Sequence, residues 1–345
     1  MDWIVTGGCG FVGTNLTDAL LRQGHCVTVI DDLSRHGSES NLTWLRMRHS
    51  THWQFLQGDI RDSSTVSQVI ADTLPFAVVH LAGQVAMTSS IADPRRDFEI
   101  NALGTLNVLE AVRLHSPDTI VLYSSTNKVY GSLESLDYQE TDTRYVVPAH
   151  PKGFDEAIQL DGHSPYGCSK LAAEQYVRDY NRIYGLKTVV FRHSSMYGGR
   201  QFASFDQGWI GWFCQKALEM ANGDTVPPFT ICGDGKQVRD VLHVDDIVKA
   251  YVSAAQGIAQ TAGSIYNIGG GMANSLSLLE LFSLLEGLTS STMRYTVTPW
   301  RTGDQKVFVA DIRKATADFD WQPQVGATSG IKSMLGWSRE VMCDQ

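Results

Sequence analysis

Nowhere in this 345-residue chain is there a run approaching the roughly 20 consecutive apolar residues that a bilayer-crossing helix needs. Positive charge is also in short supply: 28 Lys+Arg stand against 37 Asp+Glu, a net charge of −9. That balance excludes a duplex-coating protein, which needs a basic face, so neither a membrane nor a nucleic acid is expected as a partner. Cysteines are few (Cys9, Cys26, Cys168, Cys214, Cys232 and Cys343), and none forms a C-x-x-C pair or a Cys/His run with zinc spacing. No metal site is therefore expected. The sequence runs from Met1 almost directly into Ile4-Val5-Thr6-Gly7, without the basic and apolar regions of a secretory signal, so a cytoplasmic protein with reduced thiols is the expectation.

What is present is ordinary globular composition, 43% hydrophobic and 19% charged, in a length that suits about two domains. Short apolar runs at Trp3–Val5, Cys26–Ile30, Trp53–Leu56, Phe76–Leu81, Thr119–Tyr123 and Thr188–Phe191 alternate with amphipathic stretches. Continuous rather than alternating apolar runs predict strands buried on both faces, hence a parallel sheet covered by helices. Helices are predicted at Phe11–Gln23, Ala102–Leu114 and Tyr166–Tyr184, giving a doubly wound α/β class. From about residue 192 the pattern loosens into a smaller, loop-rich lobe, covering about 192–235 and 271–345. Stretches around Val241–Ala255 and Ser264–Ile268 are expected to return to the main sheet, so the first domain reads as 1–191 plus about 236–270.

Gly7, Gly10 and Gly13 join the first strand to the first helix with G-x-x-G-x-x-G spacing. Such a loop needs one glycine for a tight turn, one where a side chain would block a pyrophosphate, and one for close helix–strand packing. The helix amino terminus then offers N–H groups to phosphates. The second strand ends at Asp31-Asp32, eighteen residues after Gly13. A carboxylate there accepts both hydroxyls of an adenosine ribose and repels a 2′-phosphate, which favours NAD over NADP, although Arg35 nearby could accept such a phosphate. Asp59 and Ile60 follow the third strand, where an adenine could be held; a simple turn is the competing reading.

Tyr166 and Lys170 stand at i and i+4, so they share one helix face. A free phenol is a poor base at neutral pH, and a nearby ammonium favours its phenolate. Ser124, Ser125 and Thr126 close the fifth strand at the carboxyl edge of the sheet, where a hydroxyl could bond the reacting oxygen or merely cap backbone. His163 and His193 flank this region and are given no catalytic role. Trp209, Trp212 and Phe213 have apolar spacing that suits core or lid packing, and Cys168 reads as a small helix residue.

Together these features resemble the extended short-chain dehydrogenase/reductase family of nucleotide-sugar epimerases and dehydratases. The likeness runs the length of the chain, through Thr6–Gly13, Asp31, Gly58-Asp59-Ile60, His80-Leu81-Ala82-Gly83, Asn101, Ser124–Gly131, Tyr166–Lys170, Gly233–Asp246 and Arg301–Asp304. The resemblance implies a Rossmann-type doubly wound parallel sheet with a smaller C-terminal substrate-binding lobe. It implies bound NAD, held by Gly7, Gly10, Phe11, Val12, Gly13, Asp31, Asp32, Asp59, Ile60, Leu81, Ala82, Gly83, Asn101, Ser124, Tyr166 and Lys170. Tyr166, Lys170 and Thr126 would be catalytic. Thr126, Ser195, Gln201, Arg239, Arg301 and Asp304 would face a nucleotide-diphosphate sugar. A homodimer or higher homo-oligomer, built on the helices Ala102–Leu114 and Tyr166–Tyr184, is implied in the same way.

Dehydratases of the family carry T-D-E-V-Y-G, where this chain has Thr126-Asn127-Lys128-Val129-Tyr130-Gly131, so neither dehydration carboxylate is present. Epimerisation through a transient ketone needs only a hydride acceptor, one base and freedom for the ketone to present its other face. Similarity at Ser124–Gly131, Pro151–Glu156 through His163–Gly167, and Arg192–Gln201 points to the branch acting at C2 of CDP-linked hexoses; many relatives have Asn where Ser195 stands. In that reading Tyr166 removes and returns the hydroxyl proton while Thr126 polarises the oxygen. A 4-epimerase, a uronic-acid decarboxylase of the same family and a non-catalytic NAD-binding regulator are the competing readings.

Overall fold

The computed structural model describes residues 1–223, 226–301 and 303–343. Seven strands form the central sheet: β1 Asp2–Thr6, β2 Cys26–Asp31, β3 Trp53–Gln57, β4 Ala77–His80, β5 Ile120–Thr126, β6 Lys187–His193 and β7 Ile265–Ile268. Their order is β7-β6-β5-β4-β1-β2-β3, and every neighbouring pair is parallel. The order reverses between β1 and β4, which opens a crevice at their carboxyl ends.

Both faces of the sheet are buried except at the edge strand β3, and this explains the apolar runs of the inner strands. Trp3 and Val5 point to one face, into a core with Leu16, Leu20, Ile247 and Tyr251. Ile4 points to the other, among Val108, Val112, Ala173 and Val177. The helices that supply these residues are Phe11–Arg22 and Val244–Gln256 on the first face, Gly104–His115 and Ser164–Tyr184 on the second. Gly104–His115 is preceded by a π turn, Glu99–Leu103, which trims the helix predicted from Ala102.

The reading that Val241–Ala255 returns to the main sheet needs correction. Its helix does so, but its strand, Val238–His243, joins a second sheet. There it pairs antiparallel with Ser275–Ser277 and parallel with Val307–Phe308 and Ser195–Tyr197. The reason is Asp240. Its fully buried carboxylate accepts from the Ser194 hydroxyl and from the N–H groups of Gly271 at 3.1 Å and Ala310 at 3.2 Å. A buried carboxylate without such donors would cost several kcal/mol, so the strand stays where they converge. The stretch Ile265–Ile268 does close the edge of the main sheet, against Val190–His193.

The smaller lobe has its own core of Ile210, Phe213, Phe229, Phe282, Leu285 and Ile331. Phe213 packs edge-on against Phe282 at 4.8 Å and against Trp212 at 4.9 Å. A loop from this lobe docks on the first domain. Asn15 and Asn41 donate to the carbonyls of Gly199 at 2.9 Å and Arg200 at 3.2 Å, and the Arg200 guanidinium lies 4.9 Å from the Trp44 ring. Among the described residues no helix is long and apolar enough to cross a membrane.

Candidate active site

A cleft of about 640 Å³ lies at the carboxyl ends of the central strands. Its floor is the glycine loop. Gly7 has φ +67°, and a Cβ there would stand 2.7 Å from the Ala82 nitrogen; at Gly13 it would stand 2.3 Å from the Gly7 carbonyl oxygen. Both are backbone collisions, so these two glycines are required by the loop itself. Gly10 differs: a Cβ would meet only the Gly7 oxygen, at 3.1 Å, and would otherwise project where the helix Phe11–Arg22 begins. No side chain caps that helix, so the N–H groups of its first turn are free for an anion. The loop therefore fits a dinucleotide diphosphate.

Asp31 ends β2 inside the cleft. One carboxylate oxygen accepts from the Cys9 N–H and the other from the Leu33 N–H, each at 2.9 Å. Each oxygen keeps a second lone pair for a ribose hydroxyl. Burial raises the Asp31 carboxyl from its ordinary value, against the pull of those donors. Asp32, Arg35, Asp59 and Ile60 line the same end. Asp59 is clasped by Arg61 at 2.6 Å, which holds it below the usual carboxylate range. Phe11, Val12, Leu81, Ala82 and Gly83 complete this wall. Asn101 lies behind it, accepting from the Gln84 N–H at 2.9 Å and donating to Ser169 at 3.1 Å. Asp97, which the sequence reading passed over, accepts from Ser169 at 2.5 Å and so braces the same helix face; its position four residues before Asn101 was the available signal.

Tyr166, Lys170, Ser124 and Thr126 meet in the middle of the cleft. The Lys170 ammonium donates to the Ser124 carbonyl at 2.5 Å and sits 4.4 Å from the Tyr123 ring centroid. Burial pushes it down to about 7. Burial also pushes the Tyr166 phenol up to about 12, opposed by the Thr126 hydroxyl and by Arg35. Ser125, between Ser124 and Thr126, also lines the cleft and donates its hydroxyl to Glu174 at 2.9 Å. Glu174 in turn pairs with Arg192 at 2.5 Å, and both are fully buried. Arg192 also donates to the Tyr130 hydroxyl at 2.8 Å. The ion pair thus ties β5 and β6 to the helix that carries Tyr166 and Lys170. His193 bonds Tyr251 at 2.7 Å and is pushed down to about 3 by burial, so it is neutral; His163 faces Asp161 at 2.9 Å.

The other end of the cleft is lined by Ser195, Gln201 and Trp209, with the Trp209 indole donating to Ser195 at 3.1 Å. Arg239, Arg301 and Asp304 do not line the cleft itself. They gather beside it, around Lys128. Asp304 accepts from Arg239 at 2.7 Å and from Lys128 at 3.4 Å. Arg301 lies 4.8 Å from the Phe205 ring. Asn127 is engaged by Gln305 at 3.0 Å. Among the described residues no group of three or more His, Cys, Asp or Glu could hold a metal.

A glycine cradle, a carboxylate at the end of β2 and a Tyr–Lys pair over one crevice define an extended short-chain dehydrogenase/reductase, an enzyme class built around a dinucleotide. More particularly, the chain belongs to the family described as GDP-mannose 4,6 dehydratase, whose model matches residues 4–334. It is 54% identical over 341 residues to the CDP-paratose 2-epimerase of Salmonella typhi, covering 99% of this chain and all of that one. The UDP-glucose 4-epimerase of Thermus thermophilus in complex with NAD superposes with a TM-score of 0.80 at 28% identity, covering 98% of this chain and 99% of that one. The UDP-glucuronic acid 4-epimerase of Bacillus cereus, in complex with UDP-glucuronic acid and NAD, gives 0.82 at 26%, covering 99% and 100%.

Proposed function

We propose that the chain is an NAD-dependent nucleotide-sugar epimerase that interconverts CDP-paratose and CDP-tyvelose at C2. The observation that carries this reading is the 54% identity, end to end, with a CDP-paratose 2-epimerase, joined to a cleft that holds Thr126, Tyr166 and Lys170 together. Dehydration, the activity in the family's description, finds no support beside Thr126, because Asn127 and Lys128 carry no carboxylate. A 4-epimerase is the second reading, favoured by the two solved structures described above.

When bound, NAD would accept hydride from the sugar carbon and return it. Gly7, Gly10 and Gly13 give its diphosphate room, Asp31 takes its ribose hydroxyls, and Lys170 has donors to spare for the second ribose. Tyr166 takes the proton from the sugar hydroxyl and gives it back, and Thr126 bonds the same oxygen. Burial holds Tyr166 neutral while the cleft is as described, opposed by the charge of Arg35, so its activation depends on further positive charge near it, a part we assign to Lys170 on the same helix face. Residues 192–235 and 271–345 supply the nucleotide-sugar side through Ser195, Gln201, Arg301 and Asp304, and the strand Val238–His243, between those ranges, adds Arg239. A cytoplasmic homodimer completes the reading. Its support is the exposed apolar surface on the two second-face helices: Leu114, Tyr176, Ile183 and Tyr184 are each about half exposed or more.

The test is to identify the nucleotide carried by the purified protein, then to follow CDP-paratose and CDP-tyvelose by NMR in D2O. Interconversion with retention of the C2 hydrogen is expected. No interconversion, with NAD bound, would move the substrate to another nucleotide sugar.

A further inference from the structure

Lys128 stands two residues beyond Thr126, in the short helix Asn127–Tyr130, and its own N–H donates to the Thr126 hydroxyl at 3.2 Å. Its ammonium is 3.4 Å from Asp304, whose same oxygen accepts from Arg239 at 2.7 Å. The Arg301 guanidinium acts on Lys128 as well, with an unfavourable sign. Two cations therefore share one carboxylate oxygen, and the charge of Arg301, which itself donates to the Cys232 sulfur at 3.3 Å, acts from farther off. The Lys128, Arg239 and Asp304 side chains are only 23%, 13% and 21% exposed, so solvent screens the surplus weakly. Burial holds the Lys128 ammonium down to about 8. There is room for an anion: a cavity of about 210 Å³ opens at Lys128, lined also by Met87, Ile91, His163, Ser164 and Gly303.

Two cations on one carboxylate leave a surplus of positive charge, two residues along the chain from Thr126, and that surplus matches a phosphate. Its distance from the chemistry is the informative part. In a nucleoside-diphosphate sugar, C2 adjoins the carbon that bears the diphosphate, whereas C4 lies across the ring from it. An enzyme that oxidises C2 must accept the β-phosphate about a ring's width closer to its tyrosine and threonine than one that oxidises C4. We propose that Lys128 binds the β-phosphate of the substrate and thereby sets C2, rather than C4, at Thr126 and Tyr166. This rests on the C2-epimerase reading given above, and a carboxylate at position 128 would repel the phosphate.

The experiment compares CDP with CMP, which lacks the β-phosphate, by calorimetry on NAD-loaded protein. Lys128→Met should weaken CDP on the order of 10- to 100-fold, the worth of one charge-assisted hydrogen bond, and leave CMP within a few-fold. Lys128→Arg should restore most of the CDP affinity. The KM for CDP-paratose should rise in Lys128→Met by at least the factor lost for CDP, with the bound NAD unchanged. Equal losses for CDP and CMP, no loss for either, or an unchanged KM would overturn the proposal. Failure of the wild-type protein to interconvert CDP-paratose and CDP-tyvelose would instead overturn the functional reading, while the CDP–CMP contrast would still decide whether Lys128 meets the β-phosphate.

Discussion

The cleft and the charged cluster beside it are built from different materials. The dinucleotide end is mostly backbone: Gly7, Gly10 and Gly13, the first turn of a helix, and a single strand-end carboxylate at Asp31. The proposed sugar-nucleotide end, beside the cleft, is mostly side chain: Lys128, Arg239, Arg301 and Asp304, drawn from three distant parts of the chain. Backbone shape recognises a constant ligand, and only a glycine can be lost from it. Charged side chains recognise a variable one and can be exchanged without moving the fold, as Asn127 and Lys128 illustrate. One oxidation chemistry can thus be kept while the substrate end decides which sugar, and which carbon, it acts on.

The sharpest way to break that division is Gly13→Ala. Its Cβ would stand 2.3 Å from the Gly7 oxygen and 2.6 Å from the Gly8 Cα, with no side chain able to move aside. The expected outcome is protein purified without NAD and without turnover, yet still binding CDP within a few-fold of wild type. Simultaneous loss of CDP binding would show that the two ends do not recognise their ligands independently. Next in size is Tyr166→Phe, at the seam between the ends. It should lower kcat by about 10²- to 10⁴-fold while NAD and CDP both remain bound; near-normal turnover would remove Tyr166 from the chemistry.

The division also explains what could be read without a structure. The glycine loop, Asp31 and the Tyr166/Lys170 pair are constrained by neighbours within a few residues, so their spacing carries the information. The six apolar runs became the first six strands of the central sheet for the same reason: burial on both faces is a local property of five of them, and the remaining run, β3, is a partly buried edge strand. The cluster around Asp304 has no such signature, because Lys128, Arg239 and Asp304 come from three segments far apart in the sequence. The misplaced strand Val238–His243 is a further case. Its placement is decided by Asp240 and donors at Ser194, Gly271 and Ala310, all contributed from other segments. Lys128 itself was visible only as the place where a dehydratase carboxylate was missing.

A third variant probes what the two ends share. Glu174 and Arg192 lie beneath both, buried, with Ser125 and Tyr130 as additional partners. Glu174→Ala leaves the Arg192 charge uncompensated and should destabilise the fold by about 3–5 kcal/mol. Chemical denaturation would register it as a lower midpoint with an unchanged slope. A loss below about 1 kcal/mol would mean that the pair holds nothing together. Paired replacement of Glu174 and Arg192 by Gln and Met should recover much of the loss, because it removes the orphaned charge.

The effect that only a change of pH uncovers belongs to Lys170, and its sign is opposite to that of a stabilising lysine. Burial lowers its ammonium to about 7 in the folded cleft, while the unfolded chain keeps its proton up to a pKa of about 10.4. Below pH 7 both states hold the proton, and the folded state bears the full cost of a buried charge. Between about pH 7 and 10 the unfolded chain binds one proton more than the folded one, so this residue makes stability rise with pH, by about 1.4 kcal/mol per unit. Lys170→Met removes that slope. Denaturation of the NAD-free protein across this range should therefore show a wild-type curve steeper by one proton than the variant's. NAD should flatten the difference, because ribose hydroxyls accepting from the ammonium favour its charged form. Parallel curves with and without Lys170 would mean that the lysine keeps its proton through this range, and that Tyr166 has a permanent positive neighbour rather than one that depends on the dinucleotide.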